Sequence, residues 1–461
     1  VDPMFGTLDD FDALVSRAHE LGLKVIIDQV YSHTSDQHAW FEESRQSRDN
    51  DKADWYIWAD AKPDGSPPNN WQSVFACPAW TWDARRQQYY MHNFLPEQPD
   101  LNLHSVAVQD ALLEVGKFWL ERGVDGFRLD AINCGMHDPL LRDNPAAEAP
   151  FRNETRPCFM QMPKYNMCHD DMPQVLERVR SVINGFGDIV TVAEVGTAEP
   201  LPVMKDYTKG GSRLHTAYGF EFLGTPELTA ERVTEVLSGW PGESPDEGWP
   251  SWAFSNHDAP RVASRWGLDV PLEQRVRLIS LLQFCLRGNV FVYQGEELGL
   301  TQAHVPYEKI QDPEALTNWP HTLGRDGART PMPWIADAVN AGFSSHETWL
   351  PVADEHAAQA IDVQAADSAS ILAHFKALIA MRKASPALRY GELEFIEAPE
   401  GVLAFSRVAD GERALCVFNL GGDTVTWSPP DLGDYEVVAQ VGTQPASLGR
   451  FEGYIGLHRD G

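Results

Sequence analysis

Apolar residues recur at helical spacing from Leu8 to Leu21 (Leu8, Phe11, Leu14, Val15, Ala18, Leu21), and Gly22 closes the run. The next residues, Lys24-Val25-Ile26-Ile27-Asp28, form a short apolar run that predicts a buried strand ending on an acid. The same alternation repeats down the chain. Helices are predicted at 106–122, near 172–184, 227–240 and 272–286, and at 371–383. Strands are predicted at 126–132, 189–195, 215–223, 251–257 and 289–295. Strands apolar on both faces and separated by helices read as parallel β structure.

Two stretches break this rhythm. Residues 31–99 are rich in aromatics and turn signals (Pro63-Asp64-Gly65, Pro67-Pro68) and too long for a plain loop, which predicts a small inserted domain. After Glu392, short alternating runs at 402–407, 414–419, 424–427 and 435–439 predict a separate all-β module. The expected domains are therefore 1–30 (first part of the barrel), 31–99 (inserted domain), 100–390 (rest of the barrel) and 391–461 (C-terminal β-sandwich). A closed (β/α)8 barrel needs eight strands, and six are readable here. The fold class expected is α/β: a (β/α)8 TIM barrel lacking its first two strands in this chain, with an open six-stranded sheet as the alternative. An open barrel exposes strand edges, so this chain is expected to fold poorly and to be nearly inactive alone.

The chain carries 37 basic and 67 acidic residues, a formal net charge of −30. Such a surface repels phosphate backbones and anionic lipid, so neither nucleic acid nor membrane is expected as a partner. Fifteen Trp, twelve Tyr and twenty-one Phe supply flat apolar faces that suit sugar rings, and a small oligosaccharide is the expected ligand. The six cysteines have irregular spacing and form no CxxC pair, which reads as free thiols in a cytoplasmic enzyme; a Cys158–Cys168 bridge is the alternative. A monomer or homodimer is expected.

Acidic residues fall at the carboxyl ends of predicted strands, where a parallel α/β fold gathers its active site: Asp28, Asp130, Glu194 and Asp258. Arg128 and Asp130 lie two apart on one strand and so project from one face. His257 precedes Asp258, and His33 follows Asp28 by five residues. The sequence holds no phosphate-binding loop and no HExxH, and the His169-Asp170-Asp171 run is too slight for a metal site. Carboxylates, histidines and aromatics without a cofactor motif point to glycoside hydrolysis.

Four ordered blocks carry a resemblance: Asp28-Gln-Val-Tyr-Ser-His33, Gly126-Phe-Arg-Leu-Asp-Ala-Ile-Asn133, Ala193-Glu-Val-Gly196 and Phe254-Ser-Asn-His-Asp-Ala-Pro-Arg261. Together they resemble the α-amylase superfamily, glycoside hydrolase family 13. Gln98-Pro-Asp-Leu-Asn102, Gln294-Gly-Glu-Glu-Leu-Gly299 and Arg329-Thr-Pro-Met-Pro-Trp334 are similar to its oligo-1,6-glucosidase and α-glucosidase branch. The resemblance implies Asp130 as nucleophile, Glu194 as general acid and base, and Asp258 as a grip on the hydroxyls of ring carbons 2 and 3. It implies that Arg128 keeps Asp130 ionised, that Asp28, His33 and His257 line the glucose site, that Arg329 closes its far end, and that Phe75 walls it. Ser32 stands where many members carry a calcium-linked Asn, so no cofactor is expected, and any calcium or magnesium site would lie upstream of Val1. Ala131 after the nucleophile, where Val accompanies α-1,6 and Thr α-1,4 cleavage, leans the expectation toward α-1,4. The function implied is an exo-acting retaining α-glucosidase with transglucosylation; the alternatives are a sucrose- or trehalose-converting relative and a non-catalytic one.

Overall fold

The computed structural model describes residues 1–75, 77–149, 157–240, 248–429, 435–443 and 445–459. The chain divides into two units, Val1–Gly219 with Asp246–Trp249, and Phe220–Pro245 with Pro250–Gly461.

The first unit contains β1 (Ile26–Val30), β2 (Trp58–Ala59), β3 (Trp80–Asp83), β4 (Gln88–Met91), β5 (Gly126–Asp130), β6 (Val190–Val195) and β7 (Thr216–Gly219). β1, β5, β6 and β7 form one parallel sheet in that order. Helices Leu8–Glu20, Val106–Glu121, Met172–Ile183 and Pro200–Thr208 precede them in turn, the alternation that a parallel sheet needs. Thr7 and Asp10 start the first helix with reciprocal bonds between side chain and backbone. Gly126 is needed for the β5–β6 register, because a Cβ there would sit 2.0 Å from Val190 O.

The strand expected at 24–28 runs from Ile26 to Val30, so Asp28 lies at its middle rather than its end. It is also not the fully buried strand expected. Ile26 and Val30 are 43% and 41% exposed, because β1 pairs with β5 alone among the described strands.

Within 31–99, β2, β4 and β3 make a small antiparallel sheet over a core of Ile57, Ala59, Trp71, Ala79, Trp80 and Met91. Segment 98–102 returns beside His33: Leu101 N donates to Ser32 O and Thr34 N to Pro99 O.

The second unit contains the parallel pair β8 (Ser251–Ala253) and β9 (Asn289–Phe291). It continues with β10 (Glu392–Phe395), β11 (Val402–Ala409), β12 (Glu412–Asn419), β13 (Val425–Thr426), β14 (Glu436–Val441), β15 (Ser447–Leu448) and β16 (Glu452–Arg459). The last seven form a five-stranded sheet, β10-β11-β12-β16-β14, and the pair β13-β15. Val402, Leu415, Val417 and Tyr454 of the large sheet share a core with Leu448 of the pair, and Trp427 packs against it. Arg382 and Arg407 close the carboxyl end of helix Leu272–Gln283: Arg382 donates to Phe284 O and Gly288 O, Arg407 to Cys285 O. The carbonyl acceptors of Arg407, Cys285 O and Gly391 O, explain how its guanidinium is buried. All six cysteines are free, so Cys158 and Cys168 are not bridged. Among the described residues, no helix is long and apolar enough to cross a membrane.

Candidate active site

The register of the parallel sheet builds the first cluster. Arg128 lies opposite Asp28 across β1 and β5, and Glu194 lies opposite Tyr218 across β6 and β7. Leu129 pairs with Ala193, so Asp130 stands level with Glu194. Asp130, Glu194 and Tyr218 thus share a row, with Asp28 and Arg128 one pleat below on the same face.

Arg128 ties the rows together. Its Nη1 donates to Asp130 Oδ1 at 2.8 Å and to Asp28 Oδ2 at 2.9 Å, and its Nη2 lies 2.7 Å from Glu194 Oε1. The two terminal nitrogens of a guanidinium are about 2.3 Å apart, so these oxygens of Asp130 and Glu194 are no more than about 8 Å apart, within the range of catalytic carboxylate pairs. Burial favours loss of the Arg128 charge, but Glu194, Tyr218 and Asp28 together outweigh it and hold the proton more tightly.

Glu194 differs sharply from its neighbours in exposure, its side chain being 6% accessible against 25% for Asp130 and 55% for Asp28. Burial pushes its carboxyl up to about 7, against the pull of Arg128 and of hydrogen bonds from Ala131 N and Tyr218 OH. The Ala131 N–H reaches Glu194 Oε2 at 3.0 Å, and Ala131 itself is left-handed, with φ 40° and ψ 39°.

His33 sits beside this strand end. Gln98 Nε2 donates to its Nε2 at 3.0 Å, which leaves the ring hydrogen on Nδ1, 2.9 Å from Ser32 Oγ. Burial lowers His33 to about 4, so the ring is neutral at pH 7. Its ring lies 5.2 Å from Phe94, and Phe94 lies 6.1 Å from Phe75.

Asp258 belongs to the second unit. The strand expected to carry it stops at Ala253, because Asn256 Oδ1 accepts the N–H groups of Asp258 and Ala259 and folds the chain into a turn. Asp258 therefore lies in the following loop, not at a strand end. Its Oδ1 accepts from Arg329 Nη2 at 3.0 Å and from Arg325 Nη1 at 3.1 Å, and His257 Nε2 is 3.2 Å from its Oδ2. Arg329 Nε also donates to His257 O at 2.8 Å. Arg325 in turn grips the buried Asp312 with Nε and Nη2.

Four residues escaped the reading of the sequence: Tyr218, Phe94, Gln98 as a partner of His33, and Arg325. Tyr218 could have been found by aligning strand 215–223 with Glu194. Arg325 lies one helical turn before Arg329, but no rule of spacing marks it. Among the described residues, no three His, Cys, Asp or Glu side chains group closely enough to hold a metal ion.

The description "Alpha amylase, catalytic domain" fits residues 1–391. A probable α-glucosidase of Rhizobium meliloti is 50% identical over 437 residues, covering 93% of this chain and 79% of the relative. An oligo-1,6-glucosidase of Heyndrickxia coagulans is 34% identical, covering 95% and 84%. The crystal structure of the α-glucosyl transfer enzyme XgtA matches with a TM-score of 0.94 at 44% identity, covering all of this chain and 87% of that one. These matches give the fold as the family's TIM barrel followed by an all-β C-terminal domain. The chain belongs to the α-amylase family, glycoside hydrolase family 13, and is a carbohydrate-active hydrolase of its α-glucosidase and oligo-1,6-glucosidase group.

Proposed function

We propose that the protein is an exo-acting, retaining α-glucosidase that removes glucose from the non-reducing end of short α-1,4-glucosides. The observation that carries the reading is the fork of Arg128, which touches Asp130 through one nitrogen and Glu194 through the other. One carboxylate is open and charge-paired, and the other is buried and raised to about 7. That asymmetry suits a nucleophile beside a proton donor.

In this reading a carboxylate oxygen of Asp130 attacks the anomeric carbon. The bond to the leaving oxygen breaks as Glu194 gives that oxygen its proton. Water then loses a proton to Glu194 and attacks the same carbon, which frees glucose and Asp130. From the family resemblance alone, Asp258, with His257 and Arg329, is assigned the grip on the hydroxyls of the terminal glucose. His33 and Asp28 support the glucose near Asp130, and Phe75 contributes an apolar wall. No cofactor takes part. Similarity to an α-glucosyl transfer enzyme supports transfer to a sugar acceptor alongside hydrolysis, since both use the same covalent intermediate.

The test is product analysis on maltose, isomaltose and sucrose, with Asp130→Asn beside the wild type. Glucose from maltose with initial retention of the α-configuration is expected, with kcat reduced several orders of magnitude in the variant. Sucrose rearranged in preference to maltose cleavage, or an unimpaired variant, overturns the reading.

A further inference from the structure

Tyr218 is buried, and its hydroxyl is committed in one direction. The phenolic oxygen accepts from Arg128 Nε at 3.0 Å and Nη2 at 2.8 Å. A guanidinium has no acceptor atom, so the single phenolic hydrogen points at Glu194 Oε1, 2.9 Å away.

The two oxygens of Glu194 are therefore unlike. Each carboxylate oxygen offers about two lone-pair positions. On Oε1 one is taken by Tyr218, and the cationic Nη2 of Arg128 stands 2.7 Å from that same oxygen. On Oε2 one is taken, by the N–H of Ala131, and among the described residues the other has no donor. A proton on Glu194 is repelled from Oε1 by the adjacent guanidinium charge and is favoured on Oε2.

We propose that Tyr218 is a positioning residue that fixes the transferable proton of Glu194 on Oε2. The inference rests on the reading of Glu194 as acid and base. In glycosidic cleavage the Oε2–H bond breaks, the proton passes to the leaving oxygen, and the electron pair stays on the carboxylate. Tyr218 and Arg128 hold the resulting charge at Oε1, while Ala131 N–H steadies Oε2. The proton released by the attacking water returns to Oε2.

The charged and titratable groups facing Glu194 are Arg128 and Asp130 of β5, Tyr218 of β7 and Cys134 after β5, with Asp28 of β1 beyond Arg128. Tyr218→Phe leaves all the others in place. Without the phenolic donor the ionised form of Glu194 loses a hydrogen bond, so its proton is held to higher pH.

The experiment compares maltose with α-glucosyl fluoride, whose leaving group needs no proton, for wild type, Tyr218→Phe and Glu194→Gln. For Tyr218→Phe, kcat/KM on maltose should fall about 10- to 100-fold while kcat/KM on the fluoride, whose first step needs no acid, changes less than about threefold. The alkaline limb of kcat/KM on maltose should rise by about one pH unit. Equal losses on both substrates with an unmoved limb overturn the role of Tyr218. Glu194→Gln separates the two claims through kcat/KM, which reports the first step alone. If its kcat/KM falls equally on both substrates, the reading of Glu194 fails; if it falls on maltose alone and Tyr218→Phe shows no such split, only the inference fails. Should Tyr218→Phe not fold, 3,5-difluorotyrosine at 218 keeps the shape and donates more strongly. It should lower the alkaline limb, and an unmoved limb contradicts the proposal.

Discussion

Nη2 of Arg128 stands 2.7 Å from Oε1 of Glu194, while Nη1 of the same guanidinium stands 2.8 Å from Asp130. One planar cation therefore fixes the spacing of two acids on neighbouring strands and prevents both from bearing unopposed charge. A lysine ammonium is a point charge and cannot bridge them. Arg128→Lys is expected to cut kcat/KM about 100-fold, and Arg128→Met, which leaves three carboxylates without their cation, to cost about 3–5 kcal/mol of stability. Steady-state kinetics and denaturant unfolding check the two figures; a Lys variant at wild-type activity would show that the fork is not needed.

The raised carboxyl of Glu194 sets a pH dependence. As the acid it must hold its proton, so kcat/KM is expected to decline as pH rises through about 7. The same shift acts on stability. The native group holds its proton more tightly than its ordinary value of 4.5, so its favourable contribution is complete at low pH and is lost as pH rises through about 7. Glu194→Gln removes that loss. Its Tm should exceed wild type by roughly 2–4 °C at pH 8 and match it at pH 4; an equal difference at both pH values contradicts the assignment.

Ala131 is left-handed directly after Asp130. A β-branched side chain adds strain in that conformation, a cost borne by family members with Val or Thr there. Ala131→Val is expected to cost about 1–2 kcal/mol and to reduce turnover, because the turned N–H on Glu194 Oε2 is disturbed. Ala131→Gly should be at least as stable as wild type. Thermal unfolding of the pair decides it, and a Val variant as stable as the Gly variant would remove the constraint.

Helix–strand alternation was legible because apolar periodicity is local. The strands β5 and β6, with Asp130 and Glu194 near their ends, could be placed from the residues alone. Asp258 reads as a strand end because it follows the apolar run Trp252-Ala253-Phe254 closely, yet Asn256 turns the chain first; side-chain capture of backbone N–H groups leaves no trace in hydropathy. Asp28 reads as a strand terminus because the apolar run stops there, whereas Gln29 and Val30 continue the ladder through backbone bonds indifferent to polarity. Tyr218 and Arg325 depend on register and on contacts between distant segments, which no single stretch of sequence reveals.

Arg325 gives a further test. The side chain of Asp312 has no exposed surface and takes bonds from Arg325 N, Nε and Nη2. Arg325→Ala should cost about 3–5 kcal/mol, as expected when one partner of a buried pair is removed. The double variant Arg325→Ala, Asp312→Ala should recover part of that loss in urea unfolding. No recovery would mean that the pair is not coupled.

The central claim is that Asp130 captures the sugar covalently while Glu194 handles the proton. Mass spectrometry of Glu194→Gln after incubation with α-glucosyl fluoride tests it most directly, because the first step needs no acid and the second lacks its base. One added glucosyl group on the peptide containing Asp130, absent in the Asp130→Asn double variant, is the expected result. A glucosyl group on another residue, or free glucose released at the wild-type rate with no adduct, would contradict it.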